Sequence, residues 1–394
     1  MKNPIKVLTL ILAVLALLAG FRVNHVGFAK KAKSVHLGPS QEIPSVVLRQ
    51  APLIRMPGVA MYRYNHAVDS NSPVHWDGDT IYVFNSFLHP FRFSGPDIEH
   101  LGDKSDVHLG HIDDNLFMWI EATYKDSDGT LWGAYHHEPD GVCFADKHLP
   151  TAPKIGWIRS EDNGKNWKDL GFIIMANPCA INCQTASPFD VGGTGDFVFF
   201  PDHEKNYIYF YGTSYDPRFA EQGVWAARMK YSERNNPSGK VMKWYKGGWK
   251  EPGIWGHLTP VFPASCDYTH KDGSMFWGPS IHWNTYLQMY VMVLNHAINT
   301  KLDGDGIYIS YNRDIGDVNG WSKPVRIVDP AQIKEVMGND TSTIPDVVNS
   351  GWYPQVIGTG KGQSDKLCGR TGRFFMGGIS RLDVTFLKPG EKSD

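Results

Sequence analysis

From about residue 65 onward the chain alternates short apolar runs with polar turns, at the period of two expected of half-buried strands. The stretch "SPVHWDGDTIYVFNS" (72–86) reads as a strand, a tight Asp-Gly-Asp turn and a second, aromatic strand. Four later stretches repeat this form: 118–138 ("MWIEATYKDSDGTLWGAYHHE"), 193–214, 276–297 and 351–380, the last with its turn expanded into a loop. Second hairpins follow the first hairpin at 90–102, 154–171, 223–245 and 306–328. Each unit therefore reads as four strands, and units recur roughly every 60 to 80 residues. Four-stranded units repeated radially make propeller blades, so the pattern predicts an all-β, five-bladed β-propeller of four-stranded blades over residues 65–394. Helical periodicity is scarce; "DPAQIKEVMG" (329–338) is the one short candidate. Residues 30–64 form an N-terminal extension, from which one strand is available to close the last blade.

One turn is specific. Ser160, Asp162, Gly164 and Trp167 fit the S-x-D-x-G-x-x-W pattern of an Asp box. The carboxylate accepts backbone N–H bonds inside the turn, glycine supplies the dihedral, and the indole packs below. Asp162 is therefore assigned to structure.

With these residues in view, the five-unit pattern resembles the five-bladed propeller glycosidases of the arabinanase, xylosidase and fructosidase group. The resemblance implies a glycoside hydrolase in which the first strand of each blade lines an axial pocket. In that group, carboxylates from different blades act as base, pKa tuner and acid. Carried over by position, Asp69 in "VDSNSPVHWDGD" is the candidate base and Asp196 in "GTGDFVFF" the candidate pKa tuner. Glu121 in "MWIEATYKDSDG" lies near the position of an Asp in the group's second blade. The fourth blade should carry the general acid, but this chain has Trp277-Gly278-Pro279-Ser280. Glycoside hydrolysis needs a proton donor as well as a base or nucleophile. Glu121 is the first candidate for that donor, a loop residue such as Glu138, His137 or Glu251 is another, and a pocket that binds sugar without cutting it is the third.

The residues themselves point the same way. Glu121 is a carboxylate amid apolar neighbours, and Asp196 heads a strongly apolar strand; buried without partners, either would be costly. Asp69 also suits an ordinary turn, as do Asp77 and Asp79. Trp119, Trp277 and Trp352 recur near the heads of inner strands; core packing is the default for each, and the recurrence makes them candidate platforms for a sugar ring. Ser280, His282 and His137 complete the candidate substrate contacts. His75 and His136 also lie near strand ends, yet no spacing among the histidines has the form of a metal signature. Neither a metal nor another cofactor is expected. Arg159, Arg228, Arg313 and Arg381 fall in outer hairpins or the C-terminal strand, which makes a sialidase the weaker reading.

Composition bounds the partners. Net charge is −2 and Lys and Arg form no long block, so neither nucleic acid nor an anionic membrane is implied. Lys2 and Lys6 precede the uncharged run Val7 to Ala19, the length of a signal-peptide core. Residues 1–29 are expected to be an export signal, cleaved after Ala19 or Ala29, with an uncleaved anchor as the alternative. The mature protein is then secreted or periplasmic, with no membrane association after signal removal and an oligo- or polysaccharide as its partner. Of the five cysteines, Cys179 and Cys183 in "CAINC" are close enough in sequence to pair. The class-level alternative to an enzyme is a non-catalytic glycan-binding propeller.

Overall fold

The computed structural model describes residues 43–61, 64–102, 104–110, 117–139, 142–143 and 150–392. The expected export segment lies outside them. Among the described residues no helix is long and apolar enough to cross a membrane.

Five antiparallel sheets follow one another as blades. Blade one is Val74–Asp77, Thr80–Phe87, His89–Gly95 and Ser105–Asp106. Blade two is Met118–Lys125, Leu131–His137, Lys154–Ser160 and Lys168–Met175. Blade three runs Thr194–Asp202, Tyr207–Ser214, Gly223–Lys230 and Met242–Tyr245, and adds a fifth strand, Gly248–Pro252, at its outer edge. Blade four is Met275–Asn284, Met289–Ala297, Gly304–Asn312 and Val325–Val328, with Leu367–Cys368 laid parallel along its first strand. Blade five is Pro354–Ile357, Thr371–Met376, Ile379–Leu387 and, outermost, Ser45–Arg55 from the N-terminal side. That last strand pairs antiparallel from Ser45↔Leu387 to Arg55↔Ile379, so chain-distant segments share one sheet.

The inner strands are buried along almost their whole length, as Thr194–Asp202 and Pro354–Ile357 illustrate. They have a blade on either side, which is why they read as continuous apolar runs rather than strict alternation. Apolar clusters then fill each seam of the ring. Phe84 and Trp167 join blades one and two, Trp157 and Phe210 blades two and three, and Phe200 and Tyr290 blades three and four. Tyr311 and Phe374 belong to the seam of blades four and five, and Ile54, Val83 and Phe375 to the seam that returns to blade one. Each fully buried large side chain contributes about 2–3 kcal/mol. No blade has a finished core without its neighbours.

The turn at 160–167 illustrates how local bonds feed a seam. Ser160 Oγ accepts the N–H of Gly164 at 2.9 Å, and Asp162 Oδ1 accepts those of Lys165 and Asn166 at 3.1 and 2.9 Å. Gly164 sits at φ 81°, which lets the Trp167 indole fold under the turn and donate to the Gly164 carbonyl at 3.0 Å. The same indole lies 5.8 Å from the Phe84 ring of blade one.

Among the described residues, two α-helices interrupt the sheets. Pro330–Met337 is capped by Asp329, whose side chain accepts the Gln332 N–H, as its sequence leads one to expect. A second helix, Pro345–Ser350, has no side-chain cap and is too short to carry a period; it is fixed by Gly351 in the left-handed region and by buried Val347.

Gly164→Ala should destabilise the fold by about 2–4 kcal/mol in urea unfolding, because its Cβ would sit 2.2 Å from the Phe84 ring in a left-handed backbone. Gly171→Ala, at φ 89° but with open space around its Cβ, should cost only about 1 kcal/mol. Equal losses in the two variants would contradict this account of the seam.

Candidate active site

The inner strands of blades two, three and four share an irregularity. In blade two, Ile120 pairs Tyr135 and Ala122 pairs Ala134, which leaves Glu121 as the extra residue of a bulge. In blade three, Gly195 pairs Thr213 and Val198 pairs Tyr211, so Asp196 and Phe197 together oppose one residue. In blade four, Trp277 pairs Asn295 and Ser280 pairs Val293, with Gly278 and Pro279 at the bulge. Such bulges re-aim side chains and gather beside functional centres. Asp196 and Gly278 both have positive φ, 41° and 58°. Glycine adopts that conformation freely and aspartate does not, so Asp196 is held under strain.

The carboxyl groups meet around His136. Glu121 is buried, with one oxygen 2.9 Å from His136 Nδ1 and the other accepting the Phe197 N–H at 2.6 Å. On the far side of the ring, His136 Nε2 lies 3.4 Å from a Glu138 oxygen. Burial alone would lower the imidazole's pKa, but hydrogen bonds and charge from Glu121 and Glu138 outweigh it and hold the pKa well above its ordinary value. His136 is therefore an imidazolium clamped between two carboxylates. Trp119 backs it, with ring centroids 5.5 Å apart.

The remaining carboxyls are held above the ordinary carboxylate range. Burial, followed by the charge of Glu121, pushes Asp196 up to about 7, and its Oδ2 accepts the Tyr215 hydroxyl. Burial and the charges of Glu138 and Asp196 raise Asp190 well above the carboxylate range; the Tyr268 hydroxyl donates to it at 3.3 Å. Asp69 is only partly buried at its surface, and desolvation together with Glu138 and Asp196 pushes it up to about 8. The Tyr353 phenol, buried and facing the charges of Asp196, Asp69, Glu121 and Glu138, also stays protonated and available as a donor.

Asp69, Glu121 and Asp196, from three different parts of the chain, thus lie in one electrostatic cluster. Glu121 is not free to donate a proton to a ligand, because both its oxygens are engaged. The candidate sugar contacts lie elsewhere or deeper. Trp277 is fully buried, edge-on to Trp352 at 5.2 Å and to Tyr353 at 5.7 Å, and the Trp352 N–H donates to the Leu302 carbonyl at 3.1 Å. With Trp119 also buried, the three rings pack the interior rather than offering open faces. Ser280 Oγ is spent on the Pro354 carbonyl at 2.8 Å. His282 is buried against Phe386 and held neutral by burial, its pKa lowered to about 3. His137 stacks on Phe172 at 5.7 Å. Glu251 lies in the added hairpin of blade three, accepting the His257 N–H at 3.2 Å.

Four groups of the cluster drew no site assignment from sequence: His136, Asp190, Tyr215 and Tyr353. "HHE" at 136–138 held the signal for His136 and Glu138, an adjacent base and acid at a strand end; Asp190 and the tyrosines sit in connections, where no period marks them. The Asp190 loop is tied down by a disulfide between Cys143 and Cys183, with Cα atoms 5.7 Å apart. Cys179 is free and exposed, contrary to a Cys179–Cys183 pairing. Its N–H is bound to Asn177 Oδ1 in a tight turn, while Cys183 faces Cys143. Glu121, His136 and Asp196 also each bring one potential ligand atom within 4.8 Å of the others, the one arrangement among the described residues suited to a cation.

No protein-family model matches the chain, and no curated protein sequence does. Solved structures similar to it include an arabinanase from Bacillus subtilis, with 12% identity, TM-score 0.44, and 81% of this chain and 94% of that one covered. Another is a thermostable family-43 glycoside hydrolase at 10% identity and TM-score 0.44, covering 82% and 92% of the two chains. An exo-β-1,3-galactanase from Clostridium thermocellum is 9% identical, with TM-score 0.46 and coverage of 85% and 62%. At these values the likeness adds no argument to what the five blades themselves show.

Asp196→Gly should be more stable than Asp196→Ala by about 1 kcal/mol in urea unfolding, although glycine ordinarily costs entropy, because only glycine is at ease at this φ. Alanine the more stable of the pair would mean that the bulge carries no strain.

Proposed function

We propose that the chain is an exported glycoside hydrolase that cleaves an oligo- or polysaccharide at the carboxyl end of the propeller axis. The feature that carries this reading is Asp69, a half-buried residue whose carboxyl is pushed up to about 8 by burial and by the charges of Glu138 and Asp196. An acid of that strength at neutral pH is what protonation of a glycosidic oxygen requires.

The roles differ from those the resemblance implied. Asp69 delivers its proton to the leaving oxygen as the glycosidic C–O bond breaks. Glu138, whose side chain is 22% exposed, takes a proton from water as the water oxygen bonds to the anomeric carbon. His136, oriented by Glu121, holds Glu138 in place from behind. Asp196 raises the pKa of Asp69 as it ionises, and Tyr353 offers a hydroxyl to the sugar. After product release Glu138 gives up its proton to solvent and Asp69 recovers one, which restores both groups.

A non-catalytic glycan-binding propeller is the second reading. It is favoured by blade four, whose bulge carries Gly278 and Pro279 and so brings no carboxyl group to the axis.

Release of reducing sugar from a panel of plant and bacterial polysaccharides separates the two. The wild type should cut at least one of them, and Asp69→Asn should lose about 10²–10⁴-fold in kcat/KM. Aryl glycosides with dinitrophenolate leaving groups need no acid and should restore most of the rate lost in Asp69→Asn. Since Asp69 works in its protonated form, wild-type activity should fall as pH rises through about 8. Activity that rises through that pH would make Asp69 the base, and binding without release from any polysaccharide would leave the second reading.

A further inference from the structure

Trp255 is 55% exposed and stands at φ 65°, a backbone conformation that a bulky residue takes only when its surroundings impose it. The cause is visible. Its N–H donates to the Met175 carbonyl at 3.0 Å, and the buried amine of Lys243 donates at 3.0 Å to that same carbonyl and, also at 3.0 Å, to the Gly256 carbonyl. Burial lowers this lysine to about 8, so the chain keeps a costly ammonium in its interior and with it fixes the backbone on both sides of the indole. The result is a large exposed apolar side chain carried on a fixed stretch of backbone.

The flank of Trp255 is polar and equally well fixed. Glu221 is buried and accepts from His257 Nδ1 at 2.6 Å and from the Leu258 N–H at 3.2 Å. Arg218 pairs with Asp216 and reaches Glu221 at 3.1 Å, while the Tyr245 ring stacks on His257 at 5.5 Å. Phe219, 46% exposed, stands next to Arg218 in the chain. An exposed aromatic face on a fixed backbone, two residues from this polar cluster, suits a pyranose or furanose ring, which is apolar on its faces and hydroxylated at its edge.

Register places this patch on the same end of the propeller as the carboxyl cluster. Lys154 pairs both with His137, beside His136, and with Met175, which binds Trp255. Between them Phe172 carries His137 on its face and the Lys154 amine 4.3 Å from its centroid. These side chains are partly exposed, so a track runs outward along blade two from the axis to the indole.

We propose that Trp255, with His257 and Arg218, is an outlying sugar-binding platform that holds a distal part of a polysaccharide reaching the axis along this track. The link to the axis rests on the hydrolase reading; the platform itself does not. The test is affinity electrophoresis in native gels containing arabinan, β-1,3-galactan or xylan. Wild type should be retarded by at least one polymer, and Trp255→Ala should raise the dissociation constant about tenfold or more. Trp255→Gly, which relieves the backbone conformation and so guards against misfolding, should lose retardation equally, and Trp255→Phe should keep most of it. Asp69→Asn should be retarded like the wild type. A wild type retarded by none of these polymers, or Ala and Gly variants retarded like the wild type, would overturn the platform. Should no polymer be cut while retardation still depends on Trp255, the platform stands and the hydrolase reading falls. Asp69-dependent cleavage with unaltered binding by the Trp255 variants would mean the reverse.

Discussion

A carboxylate taken out of water costs several kcal/mol unless a proton, a cation or N–H donors neutralise it. Five such groups gather around His136, and each is accommodated in one of these ways. Glu121 takes the imidazolium of His136 and the N–H of Phe197; Glu138 takes the other side of the same ring. Asp196, Asp190 and Asp69 have no cation of their own, and burial raises the pKa of each. His136 thus separates the two carboxyls that flank it from the three whose pKa values are raised. That division between neighbouring carboxyls is what acid–base chemistry needs.

The backbone makes the division possible. Bulges at equivalent points of three inner strands leave extra residues outside the regular pairing. Blade two uses its bulge for Glu121, blade three for Asp196 at some cost in strain, and blade four for glycine and proline. The Gly278 N–H at that third bulge donates to Thr213 Oγ1 at 3.0 Å, which in turn lies 3.4 Å from the Asp196 carbonyl. Blade four therefore helps hold blade three's carboxyl in place without supplying one.

The fold was legible because its signals are local. Alternating strands and Asp-Gly turns recur in each blade, and the turn from Ser160 to Trp167 carries its hydrogen bonds within eight residues. The extra strand of blade three and the short helix at Pro345–Ser350 were not legible, since packing on neighbours rather than period fixes them. Glu121 and Asp196 stood out as acids among apolar residues. Their partners did not, because Asp190, Tyr215 and Tyr353 come from connections that only the closed ring brings together. The recurrent tryptophans were ambiguous for a physical reason: a seam between blades and a sugar both call for an aromatic at the head of an inner strand, and Trp277 serves the seam. Trp255 carried no signal at all, being one residue of an outer loop whose exposure depends on a buried lysine twelve residues earlier.

The protonation of Asp69 tests this arrangement most directly. With aspartate labelled with carbon-13 at its side-chain carboxyl, NMR titration of wild type and Asp69→Asn identifies the Asp69 signal by its disappearance. A midpoint near 8 for that signal is the expected result. A midpoint near 4, the ordinary value for an exposed aspartate, would mean that no carboxyl at this site carries a proton for a leaving group.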